Sequence, residues 1–409
     1  MSSFESLWSS LLGIGRDDTS GGYRRFAWTS ADMTLREWFS GEATARGLDV
    51  QEDRNGNLWA WWMPPGVTGD PRDAFVTGSH LDSVPDGGAF DGPLGVVSAL
   101  HAVDLLREQH ITPTKPIAVT AFSDEEGARF GVACMGSRLS TGVMSRDHAL
   151  ALRDEQGTTL AEAMGAQGRD PRHVGRDTEL AERVGTFVEL HIEQGRALGP
   201  ADAPLGIASS IWPHGRWRFD FAGRADHAGT TRLVDRRDPM LVYAATVLAA
   251  RAMARSHGGV ATFGKVAVTP NGTNAIASSV TAWLDARAGD ETTLAGIVDD
   301  IVSAAGEHAD AEQVSVRAEA ESTTPVVDFS LALTADLQAT LAEEFGDIPV
   351  LPTAAGHDAG ILASVVASAM LFVRNPTGVS HSPHEYADPA DCEAGAQALA
   401  TIMRAQAAS

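Results

Sequence analysis

The segment that most constrains how this chain folds is residues 78–95, GSHLDSVPDGGAFDGPLG. It follows the short apolar run 74–77 and places His80, Asp82 and Asp91 among closely spaced glycines. An apolar run that stops at such a loop is typical of a buried strand that ends in a tight turn. The pattern therefore predicts a strand whose carboxyl end presents an imidazole and carboxylates to a site.

Three further segments carry side chains of the same kind: 124–127 (DEEG), 189–193 (ELHIE) and 380–383 (SHSP). The first two come at the ends of apolar, strand-like runs. Ligands of open α/β sheets bind beyond the carboxyl ends of the strands, so we expect these segments to converge. The candidate metal ligands are His80, Asp91, Glu126, His191 and His381.

Imidazoles and carboxylates without thiols suit zinc, manganese, cobalt or nickel, and they do not suit a structural zinc site rich in cysteine. Five such ligands can hold two divalent ions if one carboxylate bridges them, and Asp91 lies in the glycine-rich loop best able to bend inward. Two ions about 3.5–4 Å apart can polarise a carbonyl and lower the pKa of a shared water. The clusters together predict a two-metal hydrolase.

Two carboxylates beside these ligands have predicted roles of their own. Glu125 precedes the ligand Glu126 on a turn, from which both can reach one site, and we predict that Glu125 is the general base. Asp82 is predicted to orient His80 through the second nitrogen of its imidazole. The plainer alternative is that residues 124–126 form a solvated acidic turn, and their position after an apolar strand argues against it.

The fold prediction is an α/β protein with an inserted second domain. Strand-like runs at 57–62, 74–78 and 117–122 alternate with a helical pattern over 93–110, which predicts a mostly parallel sheet flanked by helices. Residues 209–325 show the order β-α-β-β-α-β of a ferredoxin-like motif. We therefore expect a catalytic domain of residues 1–208 and 326–409, and an inserted α+β domain of residues 209–325.

Charge and composition narrow the partners. The formal net charge is −23, which argues against nucleic acid and requires local arginines at any site for an anionic substrate. No secretory leader and no apolar run of about 18 residues is evident, so we expect a cytoplasmic protein without a membrane partner. The cysteines, Cys134 and Cys392, have no metal or redox spacing and are predicted to be buried and inert.

With these motifs in hand, the chain resembles the amidase/hydantoinase/carbamoylase branch of the M20 metallohydrolases over residues 15–405. This branch includes allantoate amidohydrolases, N-carbamoyl-L-amino-acid hydrolases and β-ureidopropionases. The resemblance rests on the segments 78–84 (GSHLDSV), 124–130 (DEEGARF), 189–195 (ELHIEQG), 227–231 (HAGTT) and 378–383 (GVSHSP).

The resemblance implies roles for the site residues. One metal would be held by His80, Asp91 and His191, the second by Asp91, Glu126 and His381, and Glu125 would be the base. The inserted domain would be both lid and dimer interface of a homodimer. Its His227 would reach the partner's active site and hydrogen-bond the oxyanion.

The same resemblance implies which residues bind the substrate. Arg216, Asn274 and Arg287 would grip its carboxylate and amide, since a guanidinium binds a carboxylate bidentately. His214 stands where many relatives carry glutamine, and the loop that begins with Gly356 and His357 would close on the substrate. Arg232 and Ala277 replace prolines that are frequent in relatives, which leaves the substrate's identity open.

The predicted reaction is hydrolysis of the terminal ureido group of a small anionic ureido acid, with release of ammonia and carbon dioxide. Allantoate is the first expectation, because residues 211–217 (IWPHGRW) resemble bacterial enzymes assigned to it, and N-carbamoyl-L-amino acids or β-ureidopropionate are the alternatives. An M20 aminoacylase or dipeptidase is a more distant alternative, disfavoured by the continuation 126–131 (EGARFG). A scaffold protein without activity is the last, and it would lack Glu125 or a ligand.

Overall fold

The computed structural model describes residues 3–68 and 70–408. The chain divides into two compact units, one made of Met1–Ser209 and Asp328–Ser409 and the other of Ser210–Val327. We refer to them as the main unit and the insert. None of the described helices combines the length and the apolar content that crossing a membrane requires.

The first part of the main unit alternates helices and strands. Its helices are α1 (Phe4–Leu11), α2 (Ser30–Ala45), α3 (Pro93–Glu108), α4 (Met135–Thr141), α5 (Arg146–Ala151), α6 (Leu160–Ala166) and α7 (Leu180–Arg183). Its strands are β1 (Asp49–Glu52), β2 (Leu58–Trp62), β3 (Ala74–His80), β4 (Ile117–Phe122), β5 (Val184–Ile192) and β6 (Leu205–Ile211).

The insert and the return to the main unit complete the chain. The insert contains β7 (His214–Ala222), β8 (Asp226–His227), α8 (Pro239–His257), β9 (Val260–Thr269), β10 (Ala275–Ile276), β11 (Ser279–Arg287), α9 (Glu291–Glu312) and β12 (Ser315–Thr324). The return contains β13 (Val327–Asp328), α10 (Leu331–Phe345), β14 (Val350–Thr353), α11 (Asp358–Leu362), β15 (Ala367–Val373) and α12 (Pro389–Ala407).

The central sheet of the main unit has the strand order β1-β2-β4-β3-β5-β15-β6-β13, with β14 beside β6. Its middle strands β4, β3, β5 and β15 are parallel, whereas the pairs β1–β2, β2–β4 and β15–β6 are antiparallel. The prediction of an α/β fold with a mostly parallel sheet is confirmed. All residues of β3 and β4 are buried, as expected of strands covered on both faces.

The parallel core brings four strand ends to one edge of the sheet. β3 ends at His80, β4 ends just before Ser123, and β5 ends just after His191. β15 leads into the loop that carries His381. Four segments far apart in sequence therefore meet at the carboxyl ends of the strands, as the rule for such sheets requires.

The insert folds around a separate hydrophobic core. Its four long strands form an antiparallel sheet in the order β12-β7-β11-β9, which is the order of the split β-α-β motif. Every second residue of β11 is buried, from Val280 to Ala286, and packs with the apolar face of α9. The residues between them, among them Asp285 and Arg287, lie on the opposite face of the sheet.

Candidate active site

The first group of predicted ligands is fully buried. His191 Nε2 lies 3.2 Å and His80 Nε2 3.6 Å from the same oxygen, Oδ1 of Asp91. The candidate ligand atoms of these residues all lie within 4.8 Å of one another, which is the spacing of atoms that share an ion. His80, Asp91 and His191 thus form one candidate metal site.

The second group uses the other oxygen of Asp91. His381 Nε2 lies 3.5 Å from Asp91 Oδ2 and 3.6 Å from Glu126 Oε2. These three ligand atoms also lie within 4.8 Å of one another. Because each carboxylate oxygen of Asp91 faces a different group of residues, the geometry is that of a bridging ligand between two ion positions.

Hydrogen bonds orient both buried imidazoles toward the space between the ligands. His191 Nδ1 is 2.8 Å from the carbonyl of Ile192, and His80 Nδ1 is 3.2 Å from the carbonyl of Asp82. A ring nitrogen that faces a carbonyl carries the proton, so the lone pair is on Nε2. The Nε2 atoms of both rings are buried and hydrogen-bond to none of the described residues, as expected of atoms that coordinate a cation.

The charges of the site also fit divalent cations. Burial raises the pKa values of Glu125 and Glu126 well above their usual range, and neighbouring carboxylates add to this effect. Burial opposes protonation of His80, but Glu125, Asp82 and Asp91 outweigh it and raise the pKa of His80. The pocket therefore carries more negative charge than its own side chains compensate, and cations bound by the two groups would balance it.

Gly92 allows Asp91 to approach the imidazole of His80. Its φ is +85°, a left-handed conformation that side chains disfavour, and it precedes Pro93 at the first turn of α3. A Cβ at this position would lie 2.4 Å from Cε1 of His80. Steric exclusion by His80 therefore explains why this position of the glycine-rich loop is a glycine.

Asp82 acts mainly on the segment that carries the acidic residues. Its carboxylate accepts the backbone N–H groups of Glu125 at 3.1 Å and of Glu126 at 3.0 Å. The contact with His80 Nδ1 at 3.2 Å comes from its carbonyl oxygen, and the carboxylate is farther, at 3.5 Å. Asp82 thus joins the His80 loop to the Glu125–Glu126 turn, which the sequence did not indicate.

Glu125 lies beside the ligands but belongs to neither group. Its Oε2 is 3.6 Å from His80 Nε2, and its Oε1 accepts a hydrogen bond from the thiol of Cys134 at 3.2 Å. Cys134 and Cys392 are both buried and form no disulfide, as predicted. Burial raises the pKa of the Cys134 thiol well above its usual range, so the thiol stays protonated and can donate.

Left-handed backbone conformations of residues other than glycine occur at this site. Asp124, Cys134 and His381 have φ of 54°, 55° and 54°. Each such residue costs about 1–3 kcal/mol and persists only where the surroundings fix it. Two of them flank Glu125 in space and the third is itself a candidate ligand, so part of the backbone strain in the chain lies at the reactive groups.

Three residues at the site were not predicted from the sequence. Gln194 Nε2 donates to Asp91 Oδ2 at 2.7 Å, and Ser380 Oγ lies 3.2 Å from the same oxygen. Glu385 is buried and accepts the backbone N–H groups of Phe90 and Asp91. Burial, with a contribution from Asp91, raises the pKa of Glu385 to about 7. All three lie within four residues of a predicted ligand, which was the available signal.

The loop of Gly356 and His357 also belongs to the main unit. His357 is buried, and its ring centroid lies 4.5 Å from that of His191 in a tilted, edge-on arrangement. Its Nε2 has no hydrogen-bond partner among the described residues. Burial and the neighbouring His191 hold the pKa of His357 well below its usual value. Gly356 is exposed.

Three of the predicted substrate residues share the open face of the insert's sheet. His214 pairs with Arg287 across strands β7 and β11, and Arg216 pairs with Asp285. Asp285 accepts two hydrogen bonds from Arg287, at 2.8 and 3.1 Å, and lies 3.9 Å from Nε of Arg216. The structure therefore gathers two guanidinium groups around one carboxylate, with His214 as the cross-strand neighbour of Arg287.

His227 and Asn274 form a second group in the insert, on the short pair β8–β10. Ala275 is the register partner of His227, and the carbonyl of Asn274 accepts the N–H of Ala228 at 3.0 Å. His227 Nδ1 accepts the backbone N–H groups of Gly229 at 2.9 Å and Thr230 at 3.2 Å. The ring proton of the neutral imidazole is therefore on the exposed Nε2, which can donate.

A sequence profile of the family described as peptidase family M20/M25/M40 matches residues 76–405. N-carbamoyl-L-amino acid amidohydrolase of Geobacillus stearothermophilus is 37% identical over 405 residues, which cover 97% of this chain and 96% of that protein. Allantoate amidohydrolase of Escherichia coli strain K12 is 29% identical over 400 residues, which cover 97% of this chain and 95% of that protein.

Solved structures agree with these relatives. The crystal structure of an amidase of the hydantoinase/carbamoylase family from Burkholderia vietnamiensis has a TM-score of 0.88 and 30% sequence identity to this chain. The superposition covers 100% of this chain and 98% of the Burkholderia chain. The similarity therefore extends over both units.

Proposed function

The chain belongs to peptidase family M20/M25/M40, and from this premise we propose that it hydrolyses the terminal carbamoyl C–N bond of a small ureido acid. The enzyme is a metal-dependent hydrolase of the amidohydrolase type. The observation that carries the proposal is the geometry of Asp91, whose two oxygens face two separate groups of ligands beside Glu125.

Two divalent cations would be held by His80, Asp91 and His191 and by Asp91, Glu126 and His381. When bound, they would polarise the ureido carbonyl and lower the pKa of the attacking water. Zinc, manganese, nickel and cobalt all accept this mixture of nitrogen and oxygen donors. The unpartnered Nε2 atoms of the buried imidazoles support this assignment.

Glu125 is the proposed general base. It accepts a proton from the attacking water at Oε2 and delivers it to the nitrogen that leaves as ammonia. The remaining carbamate then releases carbon dioxide and the free amine. The burial of Glu125 keeps competing water away from its carboxylate, and the Cys134 thiol donates a hydrogen bond to the other oxygen, Oε1.

The oxyanion that forms at the ureido carbon needs a donor, and we assign this role to His227. Two backbone N–H groups fix its Nδ1 as an acceptor, which leaves Nε2–H to donate. Loss of a donor of this kind costs about 10²–10³ in rate. In the proposed homodimer, His227 acts in the active site of the partner subunit.

The insert is proposed to be the lid and the dimerisation domain. Strand β9 lies at the edge of its sheet, and the neighbouring exposed apolar residues include Leu241 and Leu248 on α8 and Val260 and Val266 on β9. Open edges and exposed apolar residues of this kind favour pairing with a second chain. These features support an interface between two copies of the insert.

Substrate binding is assigned to residues of both units. Arg216 and Arg287 would bind the carboxylate of the substrate, and Asn274 would bind its amide. His214 stands beside Arg287 on the same face.

In the main unit, Gly356 and His357 would line the substrate pocket next to His191. The two arginines would also supply local positive charge for binding an anion on a chain whose net charge is −23.

N-carbamoyl-L-amino acids and allantoate are the two candidate substrates. The sequence stretch 211–217 favours allantoate, whereas the relative named for N-carbamoyl-L-amino acids is 37% identical and the one named for allantoate is 29% identical. We place N-carbamoyl-L-amino acids first because the higher identity extends over nearly the whole chain. A conventional dipeptidase is the contrasting activity within the family.

The test is ammonia release by metal-free enzyme that is reloaded separately with zinc, manganese, nickel or cobalt. Chelation is expected to abolish activity and reloading to restore it, because the proposed reaction needs cations bound by these ligands. The panel contains N-carbamoyl-L-amino acids, allantoate, β-ureidopropionate and dipeptides. Cleavage of dipeptides without ammonia release from any ureido acid would contradict the proposal.

A second arm tests the base directly with Glu125→Gln. Turnover is expected to fall by about 10²–10⁴-fold, the usual contribution of general acid–base catalysis. Metal content should match the unmodified protein, since Glu125 is in neither ligand group. Retained turnover would overturn the mechanism, and loss of metal would show that Glu125 is a ligand.

A further inference from the structure

Glu385 connects the two loops that carry candidate ligands of the second metal. It lies in the loop between β15 and α12, and only 5% of its surface is exposed. Its Oε2 accepts the backbone N–H of Phe90 at 2.9 Å and that of Asp91 at 3.0 Å. One carboxylate oxygen therefore holds the main chain at the residue that supplies the bridging ligand.

The same loop carries His381, and Ser380 completes the connection. Ser380 Oγ is 3.2 Å from Asp91 Oδ2 and 3.5 Å from Glu385 Oε1. The backbone of Asp91 is thus held by Glu385, and its carboxylate is contacted by the residue next to His381. Displacement of Glu385 would change the positions of Asp91 and His381 relative to each other.

Gly88 gives independent evidence that the carboxylate of Glu385 is closely fitted. A Cβ at position 88 would lie 2.2 Å from Oε2 and 2.5 Å from Cβ of Glu385. The φ of Gly88 is not positive, so the backbone conformation does not require glycine here. The reason for glycine is steric, because a side chain would collide with Glu385. The loop therefore leaves room for this side chain.

The aromatic surroundings fix the same loop from outside. The ring of Phe90 stacks on Trp8 of α1, with 4.9 Å between centroids, and meets Tyr386 edge-on at 6.4 Å. These contacts pack the loop through its side chains. Glu385 holds the main chain of the same loop through its two hydrogen bonds to the N–H groups of Phe90 and Asp91.

We propose that Glu385 is a positioning residue for the metal pair: it holds the main chain of Phe90 and Asp91 so that one oxygen of Asp91 faces His80 and His191 and the other faces His381. This inference rests on the proposed function, in which Asp91 bridges two cations. Glu385 itself contacts neither the metals nor the substrate in this role.

The experiment compares Glu385→Ala, Glu385→Gln and Gly88→Ala in the full chain by Co²⁺ titration, with the visible spectrum of Co²⁺ as a report on ligand geometry. Groups that orient metal ligands typically contribute about 10–100-fold to metal affinity or activity. Glu385→Ala should weaken Co²⁺ binding by about this factor, change the spectrum and lower kcat with little change in KM. Glu385→Gln should retain most of the affinity, because its amide oxygen can accept both N–H groups.

Gly88→Ala should shift the Co²⁺ spectrum in the same direction, because the new methyl group displaces the Glu385 carboxylate. Since both changes act through one contact, the double variant with Glu385→Ala should be no worse than Glu385→Ala alone. The matched control is Glu393→Ala, which removes a carboxylate of α12 that lies 3.4 Å from His101, and it should bind Co²⁺ like the unmodified protein.

Unchanged Co²⁺ affinity and spectrum in Glu385→Ala, with only a lower melting temperature, would overturn the inference. If Glu385→Ala does not fold, unchanged Co²⁺ binding by Gly88→Ala would overturn it equally. Failure of the unmodified protein to bind two ions would instead contradict the proposed function. The two failures are therefore distinguishable in one titration series.

Discussion

At the residue scale, the sequence indicated where the ligands lie but not how they are held. His80, Asp91, Glu126, His191 and His381 were predicted because each belongs to or follows a strand end or a distinctive motif, and the structure gathers them into two groups that share Asp91. Their supporting contacts join segments hundreds of residues apart, such as Glu385 with Phe90. Only the closed fold creates such contacts, so local sequence patterns do not reveal them.

Asp82 is an instructive intermediate case. Its position two residues after His80 predicted a contact with the imidazole, and the nearer contact is made by the backbone carbonyl. The carboxylate instead accepts two N–H groups from the turn of Glu125 and Glu126. Sequence spacing indicates which residues are near each other, whereas the direction of a side chain depends on the loop conformation.

Cys134 leads to a prediction at the same scale. Its thiol is the only donor that the described hydrogen bonds give to the carboxylate oxygens of Glu125. A hydrogen bond to a charged group contributes about 1.5–3 kcal/mol, so Cys134→Ala is expected to lower kcat by about tenfold or more. KM should change little, because the thiol holds the base and not the substrate. Steady-state kinetics on a ureido acid measures both constants.

Two further variants separate this role from packing. Cys134→Ser keeps a donor and should restore most of kcat. Cys392→Ala removes the other buried cysteine, which packs in the core on α12, and should lower thermal stability while kcat is retained. Equal kcat losses in Cys134→Ala and Cys134→Ser would contradict a hydrogen-bonding role.

At the element scale, long periodic segments were predicted best. Strand β4 was predicted as 117–122 and helix α3 as 93–110, against the observed Ile117–Phe122 and Pro93–Glu108. Helix α9 continues to Glu312, and the small buried residues Ala305 and Ala309 extend its apolar face over the last two turns. The two-residue strands β8 and β10 have no periodicity to detect.

The open face of the insert's sheet supports a prediction about substrate binding. Arg287 and Arg218 are each held by an aspartate on the same strand, Asp285 and Asp220. Arg287→Lys is expected to raise KM for ureido acids by about tenfold or more with kcat nearly unchanged, because a lysine cannot form the bidentate pair with the substrate's carboxylate. Kinetic constants for a ureido acid and for its carboxamide analogue provide the measurement.

The paired design includes its own control. Arg218→Lys alters the equivalent pair on the neighbouring strand and should leave KM unchanged, since Arg218 is not one of the proposed substrate residues. The carboxamide analogue should be hydrolysed equally by Arg287→Lys and the unmodified enzyme. A loss of activity on both compounds would argue that Arg287 supports the fold and does not bind the carboxylate.

At the scale of the whole molecule, the chain forms two compact units, and the proposed reaction needs residues of both. The main unit holds both candidate metal sites, and the insert holds His227, Arg216 and Arg287. The strand and helix order of the insert could be read from the sequence. The proposed pairing with a second chain rests instead on the family resemblance, because an exposed apolar strand edge does not identify its partner.

The proposed homodimer can be tested by mixing two inactive variants, Glu125→Gln and His227→Ala. If His227 serves the active site of the partner subunit, a mixed dimer has one intact site, built from Glu125 of one chain and His227 of the other. Random reassociation should then recover about a quarter of the original activity, since half of the dimers are mixed and each has one working site of two. Subunits are exchanged and ammonia release is measured.

The control for this experiment is a mixture of Glu125→Gln with a His227→Ala variant that also carries Glu125→Gln. This mixture has no intact Glu125 and should stay inactive. Formation of mixed dimers is verified with a size tag on one variant. Mixed dimers without recovered activity would show that His227 acts within its own chain or not at all.

The two candidate ion positions differ in their access to solvent. The side chains of His80 and His191 are 1% and 0% exposed, whereas that of His381 is 51% exposed. An ion beside His381 should therefore leave and return quickly, while one enclosed by the buried imidazoles should have a long residence time. Exchange against an enriched isotope would then proceed in two phases, and a single molecule could carry two different elements according to the order in which they were encountered.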